Sequence, residues 1–146
     1  MAASERSRGV LDTSTVILLP RLGDPTALPD EPLITAVTLA ELSVGPLVAR
    51  TEEERAARQA ILQQAEADFD PIPFESAAAR AFGRAAASLR RAGRTTAARA
   101  YDALIAATAM ANSLPIYTCN PADFEGIDGL EVVAIAHPDA QTGATI

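Results

Sequence analysis

Short apolar runs alternate along the chain with longer segments whose apolar residues recur at helical spacing. The apolar runs predict strands, because each is a few residues long and is bounded by polar, Gly or Pro positions. The predicted strands are one that ends at Asp12 and others at residues 33–37, 115–118 and 130–136. Residues 69–74 contain two prolines and predict a short edge strand at best.

Five segments between these runs have the spacing or the capping residues of helices. Thr51 precedes three Glu residues and is a strong helix start, since a hydroxyl caps free N–H groups and acids suit the first turn. Gly93 follows the end of an Ala-rich segment, as is typical of a helix C-terminus. The predicted helices are 15–19, one capped by Thr35 or Thr38 that ends near Gly45, 51–68, 75–91, and one capped by Thr95 or Thr96 that ends at Ala111.

This order of elements is typical of an α/β fold with a parallel sheet of four to five strands and helices on both faces. Right-handed crossovers place the carboxyl ends of such strands on one side. A length of 146 residues with 49% hydrophobic residues suits one domain. We therefore expect a single domain over residues 1–146, with its core in residues 9–136 and a flexible tail in residues 137–146.

Four acidic residues stand out against this pattern. Asp12, Glu41 and Asp123 each follow a predicted strand, and Asp102 lies in a helix that is apolar nearly all round. The first three should converge where the strands end, and Asp102 can join them from its helix. Two carboxylates about 4 Å apart repel by roughly 4 kcal/mol at an effective dielectric of about 20, so the cluster must take up protons or a cation. Ligation by oxygen alone points to Mg²⁺ or Mn²⁺.

Each acid also has an ordinary structural explanation. An Asp after a strand, such as Asp12, is typical of a helix N-cap. Asp123 follows Asn120 and Pro121, which is typical of a turn and its cap, and Thr118 suits a turn as well. The convergence of four acids on one edge of the sheet favours a site over these separate explanations.

Composition excludes several classes of protein. One Cys and one His, Cys119 and His137, cannot build a Cys/His zinc cluster or an internal disulfide, so a reducing compartment is expected. The first eight residues are polar, and no apolar stretch approaches about 18 residues. We expect neither a signal peptide nor a membrane span, and we expect the protein to be cytoplasmic.

The net charge of −7 argues against general attraction to nucleic acid, but the cations are unevenly placed. All 12 are Arg, and half of them fall between Arg80 and Arg99. Among these, Arg84, Arg91 and Arg94 are candidate phosphate contacts, because the guanidinium fork suits phosphate. The solvated side of an amphipathic helix explains them equally well. Arg99 stands one turn before Asp102, so it either pairs with that acid or contacts a substrate phosphate.

Four stretches together resemble the motifs of PIN domains, most closely those of the VapC toxin group. They cover residues 9–136 in the family's order: residues 10–14 (Val-Leu-Asp-Thr-Ser), 36–42 (Ala-Val-Thr-Leu-Ala-Glu-Leu), 101–109 (Tyr-Asp-Ala-Leu-Ile-Ala-Ala-Thr-Ala) and 118–124 (Thr-Cys-Asn-Pro-Ala-Asp-Phe). The resemblance implies a PIN-like α/β/α sandwich and maps the family's acids onto Asp12, Glu41, Asp102 and Asp123. Cys119 departs from the pattern, since many relatives have Arg there.

The resemblance also implies a metal-dependent endoribonuclease with an antitoxin partner of the VapB type. Water would attack the RNA phosphodiester and leave a 5′-phosphate and a 3′-hydroxyl. Four polar residues are expected to hold the carboxylates through hydrogen bonds: Thr13, Ser14, Thr118 and Asn120. The Ala-rich helices between Thr51 and Arg91 offer apolar surface, so we expect a homodimer interface or an antitoxin groove there.

Rival interpretations belong to other classes. Phospho-aspartate proteins also place an Asp after the first strand, but they hold the phosphoryl group with a Lys, and this chain has none. A related phosphatase pattern needs a second Asp where Ser14 stands. A PIN module that only binds RNA or protein is an alternative that metal-dependent cleavage would distinguish. Within the enzyme class, a DNA nuclease and a PIN nuclease of RNA processing are further alternatives.

Overall fold

A parallel sheet of four strands forms the centre of the molecule, in a computed structural model that describes residues 6–94 and 99–140. The strands are β1 (Arg8–Leu11), β2 (Glu31–Leu33), β3 (Ile116–Thr118) and β4 (Val132–Ala134). Their order across the sheet is β2-β1-β3-β4, and every neighbouring pair is parallel. The predicted α/β class and parallel sheet are confirmed.

Within the described residues, five α-helices connect and cover these strands. They are α1 (Thr13–Leu18), α2 (Ala36–Val44), α3 (Glu52–Asp68), α4 (Ser76–Arg91) and α5 (Ala100–Ala111). The boundaries of α3 and α4 agree closely with the sequence, and the Thr51 hydroxyl caps α3 by accepting from the Glu54 N–H at 3.0 Å. The start predicted for the last helix at Thr95 or Thr96 lies outside the described residues. No helix in the described part is long and apolar enough to cross a membrane.

The second strand ends earlier than residues 33–37, where the sequence placed it. Thr35 ends the extended run because its hydroxyl accepts from the Thr38 N–H at 3.2 Å and so caps α2. The proposed edge strand at residues 69–74 is reduced to a single parallel bridge between Thr35 and Ile72. Pro71 and Pro73 flank Ile72 and have no N–H to extend the ladder.

Two hydrophobic cores lie on opposite faces of the sheet. Successive strand residues point to opposite faces, so Val10 joins one core and Leu11 the other. The first core contains Leu89 of α4 and much of α5, whereas the second contains residues of α1, α2 and α3. Helices therefore cover both faces, which gives the expected α/β/α sandwich.

The chain after β4 forms a short turn at residues 138–140. The Ala140 N–H donates to the His137 carbonyl at 3.0 Å, and Asp139 forms an ion pair with Arg21. Residues 141–146 lie outside the described part of the chain, so the flexible tail remains a prediction.

Gly9 of β1 lies directly against the ring of Tyr117 in β3. A Cβ at this position would be 2.4 Å from the Tyr117 Cδ1 atom and 2.5 Å from its Cε1 atom, which no normal packing allows. We expect Gly9→Ala to lower the free energy of unfolding by about 1–3 kcal/mol, measured by denaturant unfolding. In a Tyr117→Leu background the same change should be much milder. An equal loss in both backgrounds would contradict the contact as its cause.

Candidate active site

Asp12 is the most buried acid of the site, with 2% of its surface exposed. It follows β1 and immediately precedes α1, but its carboxylate does not cap the backbone of that helix. Instead the Ser14 hydroxyl donates to Oδ2 at 2.8 Å, and the Thr15 hydroxyl donates to Oδ1. Both oxygens are therefore engaged by hydroxyls from the first turn of α1, which fixes the direction of the carboxylate.

Glu41 of α2 is held by a second pair of hydroxyls. The Thr13 hydroxyl donates to Glu41 Oε1 at 2.7 Å, and it also lies 3.0 Å from the Thr38 hydroxyl. A hydroxyl has one proton, so Thr38 must donate to Thr13 whenever Thr13 donates to Glu41. A chain of hydrogen bonds thus runs from the buried Thr38 to the carboxylate.

Asn120 reaches Asp12 through Ser14. Its side-chain amide donates to the Ser14 hydroxyl at 2.9 Å, and that hydroxyl in turn donates to Asp12. Thr118 shapes the turn itself, because its hydroxyl accepts from the Asn120 N–H at 2.9 Å. Of the four expected polar residues, Thr13 and Ser14 contact carboxylates directly, while Asn120 and Thr118 act one and two contacts away.

Two buried hydroxyls of the site were missed in the sequence. Thr15, besides donating to Asp12, accepts from the Cys119 N–H at 3.0 Å and so joins the ends of β1 and β3. Thr38 supports Thr13 as described. The available signal was spacing: Thr15 lies three residues after Asp12, and Thr38 lies three residues before Glu41, which places each hydroxyl within one helical turn of an acid.

Asp102 lies in the first turn of α5, where its charge is poorly compensated. Burial, followed by repulsion from Asp123, Asp12 and Glu41, raises its pKa to about 6 from an ordinary value of 3.8, although Arg99 opposes the rise. Burial also raises the pKa of Glu41, against the hydrogen bond from Thr13. The structure therefore brings all four acids into one electrostatic neighbourhood.

Asp123 lies in the short turn Pro121–Phe124, where Arg99 engages it. The Arg99 Nη1 atom donates to Asp123 Oδ1 at 2.6 Å, and both side chains are about one-third exposed. The sequence left open whether Arg99 pairs with Asp102 or contacts a substrate phosphate. In the structure it pairs with Asp123 instead. The turn after β3 lies beside the N-terminus of α5, so Asp123 is nearer to the guanidinium than Asp102 is.

The donor set fits a hard divalent cation in kind but is not drawn together around one. Four carboxylates provide the oxygen ligands that Mg²⁺ and Mn²⁺ prefer, and repulsion from the other three acids adds to burial in raising the pKa of Asp102. Within residues 6–94 and 99–140, however, no three Asp, Glu, His or Cys side chains are grouped closely enough to hold an ion. Holding a metal would require these side chains to move toward one another.

The candidate phosphate-binding arginines differ from one another. Arg91 pairs with Asp128 at 3.1 Å, and Arg94 donates to the Glu125 carbonyl at 3.0 Å. The loop after β3 brings Glu125 and Asp128 against α4 and so supplies both arginines with acidic partners. The Arg84 side chain forms no hydrogen bond or ion pair within the described residues.

Comparison with known proteins agrees with this architecture. The family model of the PIN domain matches residues 10–130. Ribonuclease VapC5 of Mycobacterium tuberculosis is 41% identical over 129 residues, which are 87% of this chain and 93% of that protein. Ribonuclease VapC8 of the same species is 35% identical over 109 residues, covering 75% and 96%.

Solved structures give the same result. The VapBC-5 toxin–antitoxin structure from Mycobacterium tuberculosis matches with a TM-score of 0.76 and 39% identity, over 88% of this chain and 99% of that one. VapBC2 from Rickettsia felis, bound to a promoter DNA fragment, has a TM-score of 0.69 at 20% identity, over 86% and 96%, and shows the shared fold. The chain therefore belongs to the PIN-domain family and, within it, to the VapC group.

The raised pKa of Asp102 predicts a pH dependence of stability in the metal-free protein. Because the folded state favours the protonated carboxyl, its contribution is fully present below about pH 4 and is lost as the pH rises through about 6. We expect Asp102→Asn to abolish this loss and to raise the melting temperature by a few degrees at neutral pH. Thermal unfolding in EDTA from pH 4 to 8 measures it.

The control for this pH experiment is Glu53→Gln, which makes the same change in net charge at an exposed position of α3. It should follow the wild-type curve. Parallel curves for wild type and Asp102→Asn would contradict the assignment.

Proposed function

We propose that this protein is a metal-dependent endoribonuclease, the toxin of a type II toxin–antitoxin system with a VapB-type antitoxin as its partner. The observation that carries the proposal is the convergence of Asp12, Glu41, Asp102 and Asp123 at one end of the sheet, with the resulting rise in the pKa of Asp102. The similarity to Ribonuclease VapC5 and to VapBC complexes supports both the reaction and the partner.

The four acids would hold Mg²⁺ or Mn²⁺. A bound divalent cation lowers the pKa of water and neutralises the charge that develops on the leaving oxygen of a phosphodiester. Attack by water, rather than by the ribose 2′-hydroxyl, gives products with a 5′-phosphate and a 3′-hydroxyl. Carboxylate ligands suit these hard cations and leave room for water and substrate oxygens.

The chain's own hydroxyls prepare the acids for this task. Ser14 and Thr15 fix the Asp12 carboxylate, and the Thr38–Thr13 pair orients Glu41. Such outer contacts hold ligand side chains in the rotamers that a metal needs. Asp102, whose pKa is about 6, gives up its proton most readily when positive charge enters the cluster.

Exposed apolar side chains lie beside the acids and fit a protein partner. Leu47 is 85% exposed, and Val44, Val48 and Tyr101 are each more than half exposed. A cleft of about 480 Å³ also lies between α1 and α3, with Val16, Leu19, Ile61 and Phe69 among its lining residues. We propose that the antitoxin and a second copy of the chain cover these surfaces in the cytoplasm, where the RNA substrate is found.

Metal-dependent cleavage is the direct test of the reaction. Purified wild type should cut RNA in Mg²⁺ or Mn²⁺ and stop in EDTA, and Asp12→Asn and Asp102→Asn should each lower the rate by at least about a hundredfold, because each removes a charged ligand. Mapping of RNA ends should show 5′-phosphates at discrete sites.

In cells, induced wild type should arrest growth, whereas cells that express either Asn variant should grow freely. Glu53→Gln serves as the active control. If either Asn variant cuts RNA at the wild-type rate, the assignment of that acid is wrong. A chain that binds RNA but never cuts it is instead a silent PIN module.

The ion pair between Arg99 and Asp123 predicts that the guanidinium and the metal compete for the Asp123 carboxylate. Removing the charge in Arg99→Gln frees that carboxylate and makes the cluster more negative. We expect Mn²⁺ to bind about two- to fivefold more tightly, the range that corresponds to one exposed ion pair. Calorimetric titration of Mn²⁺ measures it. Arg58→Gln, which breaks an ion pair on α3, is the control, and equal or weaker binding in Arg99→Gln would contradict the competition.

A further inference from the structure

We propose that a groove along α4, lined by Arg80, Gly83, Arg84 and Arg91, binds the phosphate backbone of single-stranded RNA outside the carboxylate site. The proposal rests on the proposed function for the identity of the ligand. It adds a second point of attachment, which would hold the strand while the acids act on another part of it. The groove encloses about 450 Å³, and Asp128 is the acid among its lining residues.

The arginines of this groove lie on one face of the helix. Arg80, Arg84 and Arg91 are separated by four and seven residues, so the row is about 16 Å long at 1.5 Å per residue. The side chains of Arg80 and Arg84 form no hydrogen bond or ion pair in the part of the chain that the structure describes. Arg91 forms an ion pair with Asp128, and both side chains are largely exposed. Such a pair contributes little free energy, so the Arg91 guanidinium can bind another anion instead.

The chain has 19 acids against 12 cations, and the arginines of α3 have acidic partners on the same helix. On α3, Arg55 pairs with Glu52 and Arg58 pairs with Glu54 one turn away. Helix α4 contains four Arg and no acid, and like charges one turn apart destabilise a helix. A polyanionic ligand that supplies the missing negative charge explains this arrangement.

Gly83 is a second and independent indication of a ligand. A glycine inside a helix is less favourable than alanine, and here neither conformation nor packing requires it. Its φ is not positive, and a Cβ built on it would meet nothing within 4 Å. The missing side chain leaves the helix backbone open between Arg80 and Arg84, as expected where another molecule approaches closely.

The groove leads toward the acids and does not suit a second copy of the chain. Beyond Arg91, Arg94 binds the Glu125 carbonyl, two residues from Asp123, so this end of α4 lies against the segment that carries Asp123 and would direct a strand toward the carboxylate site. Two copies of α4 facing each other would oppose rows of three arginines, with Asp128 as the one acid lining each groove. RNA phosphates meet the same arginines with charge-assisted, two-pronged hydrogen bonds.

Binding is tested with a fluorescein-labelled RNA of about twelve nucleotides in Mg²⁺ across a salt series, with every variant also carrying Asp12→Asn so that the RNA stays intact. Each lost phosphate contact should lower the slope of log affinity against log salt by about 0.7, or about fivefold in affinity at 0.1 M salt. We expect the double variant Arg80→Gln/Arg84→Gln to show both the lower slope and the lower affinity. Arg90→Gln is the matched control, because Arg90 lies on the same helix, is exposed and does not line the groove.

Gly83→Ala separates binding from folding. It should raise the melting temperature, since alanine favours the helix, and yet weaken RNA binding by filling the floor of the groove. Equal slopes for the double variant and Arg90→Gln would overturn the proposal. So would light scattering in which the double variant loses a dimer that Arg90→Gln retains, because the groove would then be a protein interface.

Cleavage assays keep this proposal distinct from the proposed function. In chains with Asp12 intact, the double variant should raise KM for a long RNA and leave a four-nucleotide RNA, too short to reach the groove, unaffected. If wild type cuts neither RNA, the proposed function fails, while the salt series still decides whether the groove binds RNA. If the double variant cuts both RNAs as wild type does, the groove proposal fails and the proposed function stands.

Discussion

The repulsion among four carboxylates at one end of a parallel sheet is the constraint on which the rest of the site depends. A buried charge is costly unless it is hydrogen-bonded or paired, and the molecule meets this requirement unequally. Asp12 receives two hydroxyl donors, Glu41 receives one, and Asp123 receives Arg99. For Asp102, burial together with repulsion from the other three acids raises the pKa to about 6. The site is therefore poised to take up positive charge.

The same charge balance explains how an acidic protein can hold RNA. A net charge of −7 gives no general attraction, so favourable contacts must be local. The structure separates the two signs: acids gather where the strands end, and Arg80, Arg84 and Arg91 line a groove along α4 on one face of the sandwich. Cations bound by the acids and guanidinium groups on α4 would then contact different parts of one strand.

The sequence by itself determined the architecture and the membership of the acid cluster. Strand and helix spacing predicted a parallel sheet, and in such a sheet residues that follow different strands are necessarily close, however far apart they are in the chain. Asp12, Glu41 and Asp123 were found in this way. The start of α3 at Thr51 and the end of α4 before Gly93 could also be predicted from the sequence, because capping depends on neighbouring residues alone.

Tertiary structure alone decided which side chains meet. Arg99 is near Asp102 in sequence but pairs with Asp123, which a separate strand delivers to the same place. Arg91 and Arg94 gained acidic partners from the loop after β3, over a sequence separation that no local pattern encodes. Thr15 joins the ends of two strands by contacting both Asp12 and the backbone of Cys119. Secondary-structure spacing places a residue on an edge or a face, whereas the partner of a polar group depends on distances of a few ångströms between elements, and only packing sets these.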